Sequence, residues 1–282
     1  MSGLVSRDWL SARLGDGSGD LRLIDLRLAA DGGKAGYLEG HIPGAVYSDY
    51  AGDGWRQRVG DVPGLLPEAG HRAALFARLG IAPEAHVVLV PVGSTANDFA
   101  ASARAFWTLK VSGHAQVSIL DGGTRGWRAA GLTLETGEAF PSPAPLYPVR
   151  DDFALRRLAA EVWLHASRQD AALLDARSPS YFEGREKAAE AKAAGHIPGA
   201  LSLDYVTAFD AATGALRPRT ELEALFASVR GEPVISYCNT GHTAALNWFV
   251  LAEVFGQTDA ALYDGSMTDW TQDETRPVAT GP

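Results

Sequence analysis

Six short apolar runs, at residues 21–25, 86–91, 116–120, 172–175, 233–237 and 260–263, are spaced along the chain and separated by longer stretches of helical character. Runs this short, rich in Leu and β-branched residues, predict strands. Strands that alternate with helices predict parallel sheets with crossover connections, so the expected fold class is α/β. Helices are predicted over 98–110 and 243–255; each is apolar on more than one face, as helices packed on a sheet are. Residues 137–148 contain Pro141, Pro143, Pro145 and Pro148, which withdraw backbone donors and φ freedom and predict an extended linker. Residues 56–67 and 210–218 are predicted as irregular loops, and the polar stretch from Thr271 as a surface tail.

The pattern occurs twice. Gly-His-Ile-Pro-Gly-Ala stands at 40–45 and again at 195–200. Leu23-Ile24-Asp25-Leu26-Arg27 answers to Leu173-Leu174-Asp175-Ala176-Arg177, and the run from Val87 answers to that from Val234. Asp121-Gly122-Gly123 with Trp127 answers to Asp264-Gly265-Ser266 with Trp270. Landmarks recurring in one order at long period indicate a duplicated domain. The expected organisation is a first domain over 1–136, a linker over 137–150 and a second domain over 151–282, each a parallel sheet with helices on both faces.

At 282 residues and 46% hydrophobic, each half can bury its own core. Cys238, the only cysteine, can make no internal disulfide, and the reading is a reducing, cytoplasmic setting. The first ten residues carry Arg7 and Asp8 and no apolar signal core, and no run approaches a membrane span. A net charge of −9 argues against a nucleic-acid partner. One cysteine and scattered histidines make no metal-ligand cluster, so neither metal nor organic cofactor is expected.

Chemistry concentrates at Tyr237-Cys238-Asn239-Thr240-Gly241-His242-Thr243-Ala244, where an apolar strand runs into a helix. Open α/β sheets bind ligands at the C-terminal ends of their strands. A short loop containing Gly241 can turn successive N–H groups inward as an anion-binding nest, and a thiolate is an anion. The expected donors run from Asn239 to Thr243, with His242 a further source of positive charge or a proton. A cysteine phosphatase would place an arginine six residues after the nucleophile to grip phosphate; Ala244 stands there. In the first half Pro91 takes the cysteine's place, and sixteen residues rather than eleven lead to the matching aromatic, Trp107 against Phe249. The first loop is therefore expected to be longer, to form no such nest, and to leave its domain catalytically silent. Asp25 and Asp175 are read as fixing loops through backbone hydrogen bonds, and His196 as structural.

The ordered set, repeated twice over nearly the whole chain, resembles the two-domain rhodanese sulfurtransferases. The resemblance implies a silent N-terminal domain and an active C-terminal domain carrying sulfur as a persulfide on Cys238. Members that use thiosulfate have Arg and Lys after the cysteine, and those that use 3-mercaptopyruvate have Gly and Ser. Here stand Asn239 and Thr240, of which Thr240 keeps a hydroxyl. In the second group that hydroxyl works with a His and an Asp of the first domain; the His matches His41 and the Asp falls near Asp31. Of the arginines that hold the substrate anion, the first is replaced by Tyr181, and Arg185 and Lys187 are candidates for the second, though Glu183 and Lys187 also have the spacing of a solvated helix pair. Arg177 is a further cationic candidate.

The expected function is transfer of a sulfane sulfur from 3-mercaptopyruvate or thiosulfate to a thiol or cyanide acceptor, by ping-pong covalent catalysis. Cys238, Thr240 and His41 are the catalytic candidates, and Asn239, Gly241, His242, Thr243, Arg177, Arg185 and Lys187 the substrate-binding ones. A thioredoxin-like reductant is a further implied partner. A persulfide carrier with little turnover of small donors, and more remotely a cysteine phosphatase, are the alternatives.

Overall fold

The structure, a computed structural model, describes residues 3–17, 20–141 and 144–282; Met1 and the linker's Pro143 lie outside them. The first half of the chain contributes β1 (Leu4–Val5), β2 (Leu21–Arg27), β3 (Val46–Asp49), β4 (Gln57–Val59), β5 (Val62–Leu65), β6 (His86–Val90) and β7 (Val117–Leu120). The second contributes β8 (Ala172–Asp175), β9 (Leu201–Ser202), β10 (Phe209–Asp210), β11 (Ala215–Leu216), β12 (Val234–Tyr237) and β13 (Ala260–Leu262). All six apolar runs fall on strands. They form two parallel sheets, β1-β7-β6-β2-β3 and β13-β12-β8-β9, so the fold is α/β in both halves. The sheets correspond strand for strand except at β1, whose place in the second is marked by a single bridge between Arg156 and Leu262.

Every residue of β6 and of β12 is buried, and their two polar members find partners: His86 Nε2 lies 2.9 Å from Ser118 Oγ, and Ser236 Oγ donates to Ala244 O at 3.0 Å. In the first sheet's core, Leu23, Val88, Val90 and Leu120 meet Leu10, Ile42 and Trp127. In the second, Leu173, Ile235 and Tyr237 meet Val162, Met267 and Trp270. The helix Ala96–Val111 follows β6; the Thr95 hydroxyl caps it by accepting the Asp98 N–H at 3.1 Å. The helix Ala244–Phe249 follows β12 and widens into a π-helical turn, Val250–Val254, so the predicted stretch is helical in two registers. Among the described residues no helix is long and apolar enough to cross a membrane.

The chain divides into two compact units that do not follow its halves cleanly. The first takes in the described residues of 1–55, 67–152 and 209–217, and the second those of 56–66, 153–208 and 218–282. The two segments exchanged in this way are those predicted as irregular loops. Both are corrected to antiparallel hairpins, β4-β5 and β10-β11. Their anchors match: within the first unit Leu216 N–H donates to Asp121 Oδ1 at 3.0 Å, and within the second Leu66 N–H donates to Asp264 Oδ2 at 2.7 Å. Residues 136–141 and 144–152 run without helix or strand. The polar tail lies at the surface, residues 272–282 all being exposed or half-buried, and it is tied down there: Ala279 pairs with His196 in both backbone directions and Trp270 Nε1–H donates to Pro277 O at 2.9 Å.

Candidate active site

Cys238 stands at the C-terminal end of β12, 2% exposed, and opens the six-residue loop that leads to Ala244. Gly241 takes φ +68°, the left-handed conformation a nest requires, which is open to glycine without steric cost. The loop is clamped from the segment after β13. Cys238 O accepts from Met267 N–H at 3.0 Å, and Asn239 O accepts from Thr268 N–H at 3.1 Å and from Thr268 Oγ1 at 2.9 Å.

Ser266 lies at the centre of this clamp, and the sequence reading missed it. Its Oγ accepts the N–H groups of both Cys238 and Gly241 at 3.0 Å, donates to Tyr263 O at 2.8 Å and lies 4.0 Å from Cys238 Sγ. Gly241 N–H, expected to face the sulfur, is therefore directed at a hydroxyl. Ser266 holds φ +52°, a conformation costly for a residue with a Cβ. Its twin, Gly123, has φ +53°. A side chain retained where the repeat has none is the signal that could have marked it.

Ser266→Ala leaves two buried N–H groups without this acceptor, at about 1–3 kcal/mol each. It is expected to lower sulfur-transfer kcat/KM by roughly tenfold or more. Ser266→Gly should lose activity as Ala does but melt closer to the parent, because it relieves the backbone; steady-state kinetics with thermal melting separates the two effects.

Arg177 joins the loop to β8. Its Nε and Nη2 bind the Asp175 carboxylate at 2.9 and 2.5 Å, Nη2 also donates to Gly195 O at 2.8 Å, and Nη1 reaches Asn239 Oδ1 at 3.4 Å. Burial opposes its charge, but hydrogen bonds and attraction from Asp175 outweigh that and hold the guanidinium above its usual range. Arg27 makes the matching contacts in the first unit, to Asp25 at 2.7 and 3.0 Å and to Gly40 O at 2.9 Å. Arg177 is thus a brace that both repeats use. The two aspartates work chiefly through these arginines, although Asp175 Oδ1 also accepts the Arg177 N–H at 3.0 Å.

The structure brings Cys238, Asn239, Thr240, Gly241, His242 and Thr243 together in one loop, with Arg177 beside it. Arg185 pairs with Glu183, and Lys187 donates to Ala191 O at 2.7 Å. The helix there ends at Phe182, so the Glu183–Lys187 helix pair does not form. His41 belongs to the first unit and is 1% exposed. Its ring stacks on Tyr37 at 4.0 Å, Nδ1 lies 3.0 Å from Tyr37 O, and its backbone pairs with Glu135. His196 repeats each feature, with Phe182 stacked at 3.7 Å, Nδ1 2.7 Å from Phe182 O, and Ala279 as backbone partner. His41 and His196 thus occupy matching places in the two units.

The first unit corrects the expected contrast between the two loops. Residues 91–95 form a loop no longer than its counterpart; the extra residues belong to the sixteen-residue helix Ala96–Val111. A nest does form. The N–H groups of Val92, Gly93 and Ser94 converge on the Asp98 carboxylate at 3.0, 2.6 and 3.3 Å. Burial, with the Asp31 charge adding to it, pushes that carboxyl up to about 7 against the donors. Asp31 itself accepts from Ser94 Oγ at 2.5 Å. The first unit thus fills its nest with its own acid, where the second presents a thiol. Among the described residues no cluster could hold a metal ion.

The rhodanese-like domain family matches the chain twice, over residues 6–130 and 158–273. A Mycobacterium tuberculosis (strain H37Rv) protein, SseB, provisionally named a thiosulfate sulfurtransferase, is 37% identical over 92% of this chain and 90% of its own. The 3-mercaptopyruvate sulfurtransferase of Escherichia coli K12 is 31% identical over 97% and 96%. The crystal structure of SseA from Escherichia coli, described as a 3-mercaptopyruvate sulfotransferase, superposes with a TM-score of 0.79 at 28% identity, over 94% of this chain and 99% of that one. With two matches that together cover most of its length and relatives at 37% and 31% identity, the chain belongs to the rhodanese-like domain family.

Proposed function

We propose that this protein is a sulfurtransferase that carries sulfur as a persulfide on Cys238. The observation that carries the reading is the only thiol of the chain at the C-terminal end of β12, in a loop whose backbone is fixed by Ser266 and the segment after it. The thiolate attacks the outer sulfur of the donor, the sulfur–sulfur bond to Cys238 forms, and the donor's bond to that sulfur breaks. The electron pair leaves with the product, as an enolate from mercaptopyruvate or as sulfite from thiosulfate. A nucleophilic acceptor, cyanide or a thiol such as that of a thioredoxin-like reductant, then attacks the outer sulfur and returns the thiolate. Fixed loop dipoles need no reorganisation as charge moves along the sulfurs. The first unit, with Pro91 in the cysteine's place and its nest filled by Asp98, is catalytically silent. A reducing, cytoplasmic setting suits a cycle that depends on one free thiol.

Two alternatives are weaker. A carrier that docks other proteins would load sulfur from a partner enzyme and turn over neither free donor, which steady-state rates on the two donors read directly. A phosphatase would need an arginine at Ala244, which is fully buried.

Relatives are named for both donors, and the loop favours one. Thiosulfate is a dianion whose sulfonate calls for fixed positive charge, and Asn239 and Thr240 supply none. Mercaptopyruvate leaves an enolate that needs a proton or a strong hydrogen bond, which the Thr240 hydroxyl can give. A higher kcat/KM is expected for mercaptopyruvate, measured beside thiosulfate with cyanide as acceptor. Asn239→Arg with Thr240→Lys should shift preference toward thiosulfate by about tenfold or more, because each charge-assisted contact contributes about 1.5–3 kcal/mol. A parent that prefers thiosulfate outright would overturn the assignment of donor.

A further inference from the structure

We propose that Gly64, in the β4-β5 hairpin, is a positioning residue for the sulfur-carrying loop: its bare backbone sets where the Thr240–Gly241 peptide lies. The proposal rests on the reading of Cys238 as the reacting thiol. Gly64 has φ +83°, and a Cβ placed on it would stand 2.4 Å from Thr240 O and 2.9 Å from Thr240 Cβ. Neither atom is the end of a flexible side chain, so a methyl group there must move the loop or the hairpin. The hairpin is not free to yield, because Leu66 N–H is bound to Asp264 Oδ2 and Asp264 Oδ1 accepts from Arg156 Nε at 2.8 Å. Asp264 in turn stands two residues before Ser266, whose hydroxyl takes the Gly241 N–H. The Thr240–Gly241 peptide is thus held from both ends, its carbonyl against Gly64 and its N–H on Ser266.

The first unit supplies an internal comparison. Gly214, in the β10-β11 hairpin, has φ +75°, and a Cβ on it would stand 2.4 Å from Gly93 O, in the nest that Asp98 fills. The same brace bears on a reacting loop in one unit and on a silent loop in the other. Gly60, in the turn of the β4-β5 hairpin, has φ +56° and nothing within 4 Å of a Cβ. Gly60→Ala therefore carries the backbone strain of Gly64→Ala without its collision, and Gly214→Ala carries both strain and collision away from the thiol.

The test measures kcat and KM with mercaptopyruvate, the rate of Cys238 alkylation by iodoacetamide, and the melting temperature of the full-length variants. Gly64→Ala is expected to lower kcat on the order of tenfold with KM little changed, and to slow alkylation severalfold. Gly214→Ala should melt earlier, and Gly60→Ala slightly earlier, both with parental kcat and alkylation. If Gly64→Ala does not fold, Gly64→Asn keeps the Cβ with less strain, since asparagine tolerates positive φ, and the same outcomes apply. A folded Gly64 variant that melts early with parental kcat and alkylation would overturn the proposal. Alkylation reads the thiol whatever reaction the protein performs. A parent that transfers no sulfur, yet whose alkylation responds to Gly64→Ala and not to Gly214→Ala, would sink the sulfurtransferase reading and leave the positioning role standing.

Discussion

A Cys238→Ser protein is expected to take up no sulfur. Treated with donor, the parent should gain about 32 Da, the mass of one sulfur atom, and lose it to cyanide. The variant should keep its mass, and its transfer rate should fall about a thousandfold or more. A hydroxyl is a weak nucleophile at neutral pH and cannot form the sulfur–sulfur bond, and the chain has no second thiol to substitute. Intact mass spectrometry and steady-state rates read sulfur uptake and sulfur transfer separately. Undiminished transfer by the variant would remove the covalent mechanism altogether.

Asp175→Ala should cause the largest loss of stability. Asp175 is fully buried and Arg177 is 5% exposed, so removing the carboxylate strands a guanidinium in the interior. Breaking a buried pair from one side costs about 3–5 kcal/mol. For a unit of this size that corresponds to a melting temperature lower by roughly 6–20 °C. Because Arg177 also reaches Asn239 Oδ1, the variant should lose activity at temperatures where it remains folded. Asp25→Ala breaks the matching pair with Arg27 in the unit that lacks the thiol, and should destabilise comparably with less effect on transfer. Melting of both variants within a degree of the parent would show that these pairs are not structural braces.

The strands that could be read from the sequence are those whose surroundings impose a pattern. β6 and β12 are covered on both faces and are apolar but for His86 and Ser236, so their ends were found to within a residue. The hairpins were missed because strands of two to four residues give no alternation to count, and their anchors, Asp121 and Asp264, stand far along the chain. Cys238 was legible because a buried, inert cysteine has no use for the polar, glycine-containing loop that follows it. Ser266 was not, since a serine in an Asp-Gly-Ser turn looks ordinary until its twin is seen to be a glycine at the same positive φ. The filled nest was hidden for a related reason. Counting from Pro91 to Trp107 gave a length but not where the helix begins. Thr95 with Asp98 three residues on has the spacing of a capping box and could have marked that start.

The exchanged hairpins also impose an order in time. The ribosome finishes the first unit's sheet and its Asp98-filled loop well before it makes residues 209–217, which that unit needs for the Leu216–Asp121 bond and the Gly214 contact. At about 5–20 residues per second, the nascent first unit waits several seconds for its last piece. The second unit waits for nothing of the kind, because residues 56–66 emerge before the rest of it. The thiol-bearing loop finds its hairpin already made and lacks only the clamp from Asp264 to Thr268 that follows it closely, whereas the first unit completes its fold only when translation has passed well into the second.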